Sequence, residues 1–124
     1  MKYYGVEVIL YVRFKDGSQP FYPVWVNIYV TAGVDREDAM QRAECYARTF
    51  AGVEITCNDR PAELLFGGVR SNCEILDATE ANLSVDSPTE VFSYQLDVQD
   101  DHALQELING DEVLVTRNSV EDAW

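Results

Sequence analysis

From Tyr4 to Phe14 the chain reads YGVEVILYVRF, and Tyr4, Val6, Val8, Leu10, Val12 and Phe14 fall on every second residue. In an extended strand that spacing puts six apolar side chains on one side, whereas a helix would scatter them around its axis. A second run repeats the pattern with Tyr22, Val24, Val26, Ile28 and Val30. Between the two lies KDGSQP, where Asp16-Gly17 supplies a hairpin-turn signal and Pro20 stands at the mouth of the second strand. The opposite face carries Tyr3, Ile9, Tyr11, Phe21, Trp25 and Tyr29, so this predicted hairpin has a second apolar surface for another element to cover.

The segment GVDREDAMQRAECYARTF changes period. Asp35 suits an N-cap, Glu37 and Asp38 fall in the first turn, and Arg48 lies near the C-terminal end, where a cation complements the helix dipole. Ala39, Ala43, Tyr46, Ala47 and Phe50 then form an apolar stripe that predicts a helix laid on the hairpin. GVEITC predicts a short strand, and NDRPAELLFGG, punctuated by Pro61 and Gly67-Gly68, a loop or exposed hairpin. VRSNCEIL predicts a strand, DATEANLSVDSPTE an acidic connection, and TEVFSYQLDV a strand with Phe92, Tyr94, Leu96 and Val98 inward. DDHALQELING has the parts of a short helix: Asp100 or Asp101 as cap, Leu104, Leu107 and Ile108 as apolar face, Gly110 as terminator. DEVLVTR predicts a last strand, and residues 118–124 a loosely held tail. The order β-β-α-β-β-β-α-β predicts a single α+β domain over residues 1–124, a largely antiparallel sheet with two helices packed on one face.

At 124 residues, with 47% hydrophobic residues, such a chain can bury a core despite a net charge of -13. The opening MKYYGVEVILYVRF lacks the layout of a secretory leader, and no apolar run reaches the roughly 20 residues of a membrane span. A cytoplasmic protein with no membrane partner is the expectation. Cys45, Cys57 and Cys73 are odd in number and make no C-x-x-C, which suits buried free thiols in a reducing compartment.

The charge is unevenly spread. Residues 1–73 hold nine acids and eight bases, whereas residues 74–124 hold thirteen acids and one base, Arg117. Apolar residues recur through the acidic half, so the sequence predicts an acidic folded surface. Its candidate partner-binding residues are Asp77, Glu80, Asp86, Glu90, Asp97, Asp100, Asp101, Glu106, Asp111 and Glu112.

Motifs with chemistry of their own are missing from the sequence. DVQDDHALQELI fails as a calcium loop because His102 stands where glycine is needed and Ile108 where a bidentate glutamate belongs. The single histidine, His102, lies among carboxylates and far along the chain from the thiols, which disfavours both a Cys-His nucleophile and zinc. The glycine pairs lack the spacing and the lysine of nucleotide-binding loops. No catalytic residue, cofactor or metal is expected, and a pI near 4.2 opposes direct contact with a phosphate backbone.

Acids on strand, helix and loop, spaced about 6 to 7 Å apart along either element, can imitate the phosphate array of a nucleic acid. Such an array steers association with a basic nucleic-acid-binding protein or complex and repels acidic competitors. Trp25, Tyr29, Tyr11 and Trp124 are candidate anchors within that contact. In size, charge and fold class the chain resembles the small acidic inhibitors of phages and mobile elements, the anti-CRISPR and anti-restriction proteins. That resemblance implies a non-enzymatic inhibitor of a host defence complex and transfers no site by motif. The alternatives are an immunity protein or antitoxin that plugs a basic toxin site, an enzyme with a carboxylate site that no motif marks, or an acidic domain whose charge serves solubility.

Overall fold

A computed structural model describes residues 2–75 and 87–117. Strands β1 (Lys2–Phe14) and β2 (Tyr22–Gly33) form the expected antiparallel hairpin. The ladder ends at Tyr11 with Val24, and beyond it the Gln19 side chain takes over. Its amide donates to the carbonyls of Val12 and Phe21 at 3.1 and 2.8 Å, and its oxygen accepts from the Phe14 N–H at 3.0 Å. One side chain thereby satisfies the backbone groups that the turn would leave open. Asp16 accepts from the Ser18 N–H, and Gly17 turns the chain at φ 85°.

Helix α1 (Arg36–Arg48) starts where the sequence predicts it to start. The Asp35 carboxylate accepts from the Asp38 N–H at 2.8 Å, and the Asp38 carboxylate accepts in turn from the Val34 N–H at 3.0 Å. Ala39, Ala43 and Ala47 are fully buried, and these small residues let the helix approach the sheet closely. Tyr46 packs edge-on against Tyr29, while Phe50, expected on the buried stripe, lies past the helix end and is 44% exposed.

Strands β3 (Val53–Cys57) and β4 (Arg60–Ile75) form a second hairpin. Asn58 and Asp59 both have positive φ, 52° and 62°, the pairing of a two-residue type I′ turn. The segment from Arg60 to Gly68 is therefore neither loop nor separate hairpin: it is the first half of a 16-residue strand. Pro61 is tolerated there because it sits at the strand's start, and the glycine pair marks an irregularity, with register shifts against β1 between Glu7 and Val8 and between Ile9 and Leu10.

Strand β5 (Thr89–Val98) pairs with β2, helix α2 (Asp101–Asn109) follows, and β6 (Thr116–Arg117) pairs briefly with β5. Among the described residues all pairings are antiparallel, and the strand order is β3-β4-β1-β2-β5-β6. The α+β class, the element order and the antiparallel sheet agree with expectation. The DEVLVTR strand is shorter than expected, with residues 111–115 in no regular element, and the expected tail 118–124 lies outside the described residues.

Two expectations about faces are corrected. In the β1–β2 ladder Val6 opposes Tyr29 and Ile9 opposes Val26, so an even position on one strand shares a face with an odd position on the other. Tyr29 and Trp25 therefore lie on the face of Val6, Val8 and Leu10, whereas Val24 and Val26 lie with Ile9 and Tyr11. The helices do not share a face either. Tyr4, Val6, Val8 and Tyr29 pack with Ala39, Ala43 and Ala47 of α1, while Ile9, Val24, Val26, Leu96 and Val98 pack with Ala103, Leu104 and Leu107 of α2. The second apolar face noted in the sequence is covered by α2.

The sheet also curls. Residues of β3 and β5, with three strands between them, line a common groove, so the face bearing α1 is concave and the face bearing α2 convex. At the end of the concave face away from α1, Leu10, Val12, Phe14, Ala62 and Leu64 form a third buried cluster.

Candidate functional site

Helix α2 and the residues that flank it carry five of the seven described acidic candidates, and the folding of the helix explains how its own come to point outward. Ala103, Leu104 and Leu107 are buried on the convex face, which turns Asp101, His102, Gln105 and Glu106 away from the sheet. Asp100 is the N-cap, accepting from the Ala103 N–H at 2.8 Å, and Gly110 closes the helix in the left-handed conformation at φ 88°. Asp111 and Glu112 follow directly and are exposed. Between Glu74 and Thr116 the sequence holds no lysine or arginine. Within the helix the only ion-pair geometry is His102 with Glu106, at 2.9 Å, and that pair is charged only when the imidazole is protonated.

The cation that serves α2 comes from the sheet. Arg70 of β4 donates to the carbonyl oxygens of Leu107 and Asp111, the latter at 3.1 Å, and its guanidinium lies 3.7 Å from the Glu7 carboxylate. Glu7 also accepts from the hydroxyls of Ser71 and Tyr94. A positive group thus meets the negative end of the helix from the convex face, and among the described residues no lysine or arginine pairs with Asp101, Glu106, Asp111 or Glu112.

Ten acids were candidates, and they divide into three groups. Asp100, Asp101, Glu106, Asp111 and Glu112 are brought together on α2 and the residues just before and after it. Glu90 and Asp97 are not: they oppose Tyr29 and Pro23 in the β2–β5 ladder, on the concave face. Asp77, Glu80 and Asp86 lie outside the described residues. Of the aromatic candidates, Tyr29 is buried, Tyr11 and Trp25 are half-buried, and Trp124 lies outside the described residues. Phe92, expected inward, is 53% exposed on β5.

The groove on the concave face has no counterpart among the expected sites. Trp25, Asn27 and Tyr29 floor a groove of about 530 Å³ on the concave face. Tyr46 and Phe50 wall it on the α1 side, Val53 and Ile55 on β3, and Glu90, Ser93 and Gln95 on β5. Burial raises the pKa of the Tyr29 phenol, and the Glu90 carboxylate adds to it in the same direction. The signal was present in the alternating aromatics of β2, but their face depends on a register that periodicity alone does not give.

The thiols also depart from expectation. Cys45 and Cys73 are exposed, and only Cys57 is partly buried, where it packs against the cluster of Leu10, Val12, Phe14, Ala62 and Leu64 and burial pushes its thiol up. Among the described residues no group of three or more His, Cys, Asp or Glu side chains could hold a metal ion. Nor is any described helix long and apolar enough to cross a membrane. No protein-family model matches the chain, and neither does any curated protein or any solved structure.

Proposed function

We propose that this protein is a non-enzymatic inhibitor that binds a basic nucleic-acid-binding surface of a host defence complex, with the outer face of α2 and the residues just after it standing in for nucleic-acid phosphates. The observation that carries this reading is the grouping of Asp101, Glu106, Asp111 and Glu112 on one exposed stretch without a lysine or arginine. Asp100 is left out of the count because its carboxylate is committed to the helix cap. Glu90 and Asp97 are left out because they belong to the other face.

Physically, such a surface acts by long-range attraction first and by occlusion second. A strongly negative face raises the rate of encounter with a basic channel, and the seated domain then excludes the nucleic acid. Both effects are screened by salt, with a Debye length of about 8 Å at physiological ionic strength.

The test is capture of partners from a host lysate at low and high salt, with duplex DNA and guide RNA as competitors. The expected result is capture of a nucleic-acid-binding complex that is lost at high salt and displaced by nucleic acid. The combined variant Asp101→Asn, Glu106→Gln, Asp111→Asn and Glu112→Gln should lose that capture while keeping its fold. Capture that is indifferent to both salt and the fourfold change would overturn the proposal, and capture of a single toxic enzyme would point to an immunity protein.

A further inference from the structure

We propose that the concave groove is a binding site for a small organic cation with an apolar or aromatic body. It faces away from α2, so it stands apart from the acidic surface described above.

The argument begins with shape. A volume of about 530 Å³ falls within the range of about 300 to 1,000 Å³ typical of small-molecule sites. Its walls come from different elements, β2, α1, β3 and β5, so the cavity is fixed by the tertiary fold and no single flexible loop defines it.

Chemistry then narrows the ligand. Trp25, Tyr46 and Phe50 bring aromatic surface to the groove beside the buried Tyr29, and Tyr46 is braced by ring contacts on two sides. Tyr46 packs edge-on against Tyr29 at 5.5 Å between ring centroids and against Phe50 at 5.3 Å. Aromatic faces attract cations through their quadrupoles. Glu90 is the only charged residue among the described residues lining the groove, and it lies on the same face as Tyr29 in the ladder. The side-chain amides of Asn27 and Gln95 and the Ser93 hydroxyl add hydrogen-bonding groups without charge.

The whole molecule biases the same way. At a net charge of -13 it repels anionic ligands and concentrates cations at its surface. An aromatic trough with a carboxylate at one side suits an ammonium group attached to an apolar body, with the ammonium toward Glu90 and the body over the rings.

The experiment uses the full chain and benzyltrimethylammonium as probe, with benzyl alcohol as the neutral comparison and phenylacetate as the anionic one. The readout is the Trp25 indole N–H resonance, distinguished from that of Trp124 by a Trp124→Phe variant. The expected result is a saturable shift with the ammonium, a weaker one with the alcohol and none with phenylacetate. Glu90→Gln should weaken ammonium binding roughly threefold, the size of an exposed ion pair, and bring it close to that of the alcohol. Asp111→Asn, on the far side of the sheet, should leave it unchanged. Three results would overturn the site: no saturable shift at Trp25, phenylacetate binding as well as the ammonium, or equal losses in Glu90→Gln and Asp111→Asn. The last would mean that bulk charge alone attracts the probe.

Discussion

Gly68 of β4 lies directly under Ile108 of α2, so close that a Cβ added to the glycine would stand 2.7 Å from the isoleucine Cγ2. Its neighbour Gly67 is nearly as tight, with a built Cβ 3.1 Å from the Ile9 carbonyl oxygen and 3.2 Å from the Ile108 Cδ1. The glycine pair therefore makes the seat on which α2 rests, and with it the position of the acidic face.

Substitution of Gly68 should unseat the helix. Gly68→Ala is expected to lower stability by about 1 to 3 kcal/mol, the usual cost of overpacking. Ile108→Ala removes the Cγ2 that a Cβ at Gly68 would meet, so the double variant should lose less than the sum of the two single changes. A double-mutant cycle from urea unfolding measures this coupling, and strict additivity would show that the crowding is relieved elsewhere.

Arg70 should matter for geometry as well as for charge. Its guanidinium reaches two carbonyl oxygens at the end of α2 and the Glu7 carboxylate together, which an ammonium group cannot reproduce. Arg70→Lys is expected to cost about 1 to 2 kcal/mol and Arg70→Met somewhat more, because Glu7 then keeps only its hydroxyl donors. Thermal melting of the two variants beside the parent chain gives the comparison.

The two aspartates at the start of α2 should separate by role. Asp100→Ala removes the N-cap and is expected to cost about 1 kcal/mol of stability. Asp101→Ala removes only a charge near the positive end of the helix, worth about 0.3 to 1 kcal/mol. Partner capture should respond in the opposite order, weakening more for Asp101→Ala. Calorimetric stability and salt-dependent capture, measured on the same two variants, check both halves of the expectation.

Acid should loosen the join between the two hairpin turns. Arg60 donates from Nε to the Asp16 carboxylate at 2.8 Å and from its terminal nitrogen to the Ser18 carbonyl at 2.6 Å, while its guanidinium stacks over Phe14. The Arg60 hydrogen bond, with help from the Ser18 N–H, holds the Asp16 carboxyl at about 2 against an ordinary value of 3.8. Because the folded value is the lower one, the contribution is complete above about pH 4 and is lost as the pH falls toward 2. The melting-temperature difference between the parent chain and Asp16→Asn should therefore be widest near neutrality, shrink as the pH falls toward 2 and vanish below that. A difference that stays at its neutral size at pH 2 would place the loss in something other than the carboxylate.

How much of this was legible in sequence depends on the range of the interaction. Local chemistry could be read directly: Asp35 and Asp100 cap their helices, Gly110 ends the second, and the period-2 runs are strands. Register was not local. Whether Tyr29 lies with Val6 or with Ile9 turns on a single residue in the connection, and Gln19 sets that connection through contacts a periodicity count does not see. The first half of β4 was hidden for a related reason, since Pro61 and the glycine pair punctuate a loop in most settings. Here they mark a strand's start and a helix seat. The candidate acids followed the same rule. Those in and just after α2 come together because a helix groups near neighbours, whereas Glu90 and Asp97 were separated from them by the pleat.

The strand order carries a last consequence, for how the chain is built. The hairpin of β1 and β2 is first in sequence and central in the sheet, with β4 added on one side and β5 on the other. During synthesis it emerges with apolar surface on both sides and both outer strands open, ahead of every element that will cover them. The late segments are therefore also shields: β3 and β4 close one flank, β5 the other, and α2 the convex side. A chain stopped before Thr89 would present the naked flank of β2, which makes aggregation of such fragments the characteristic failure of this fold.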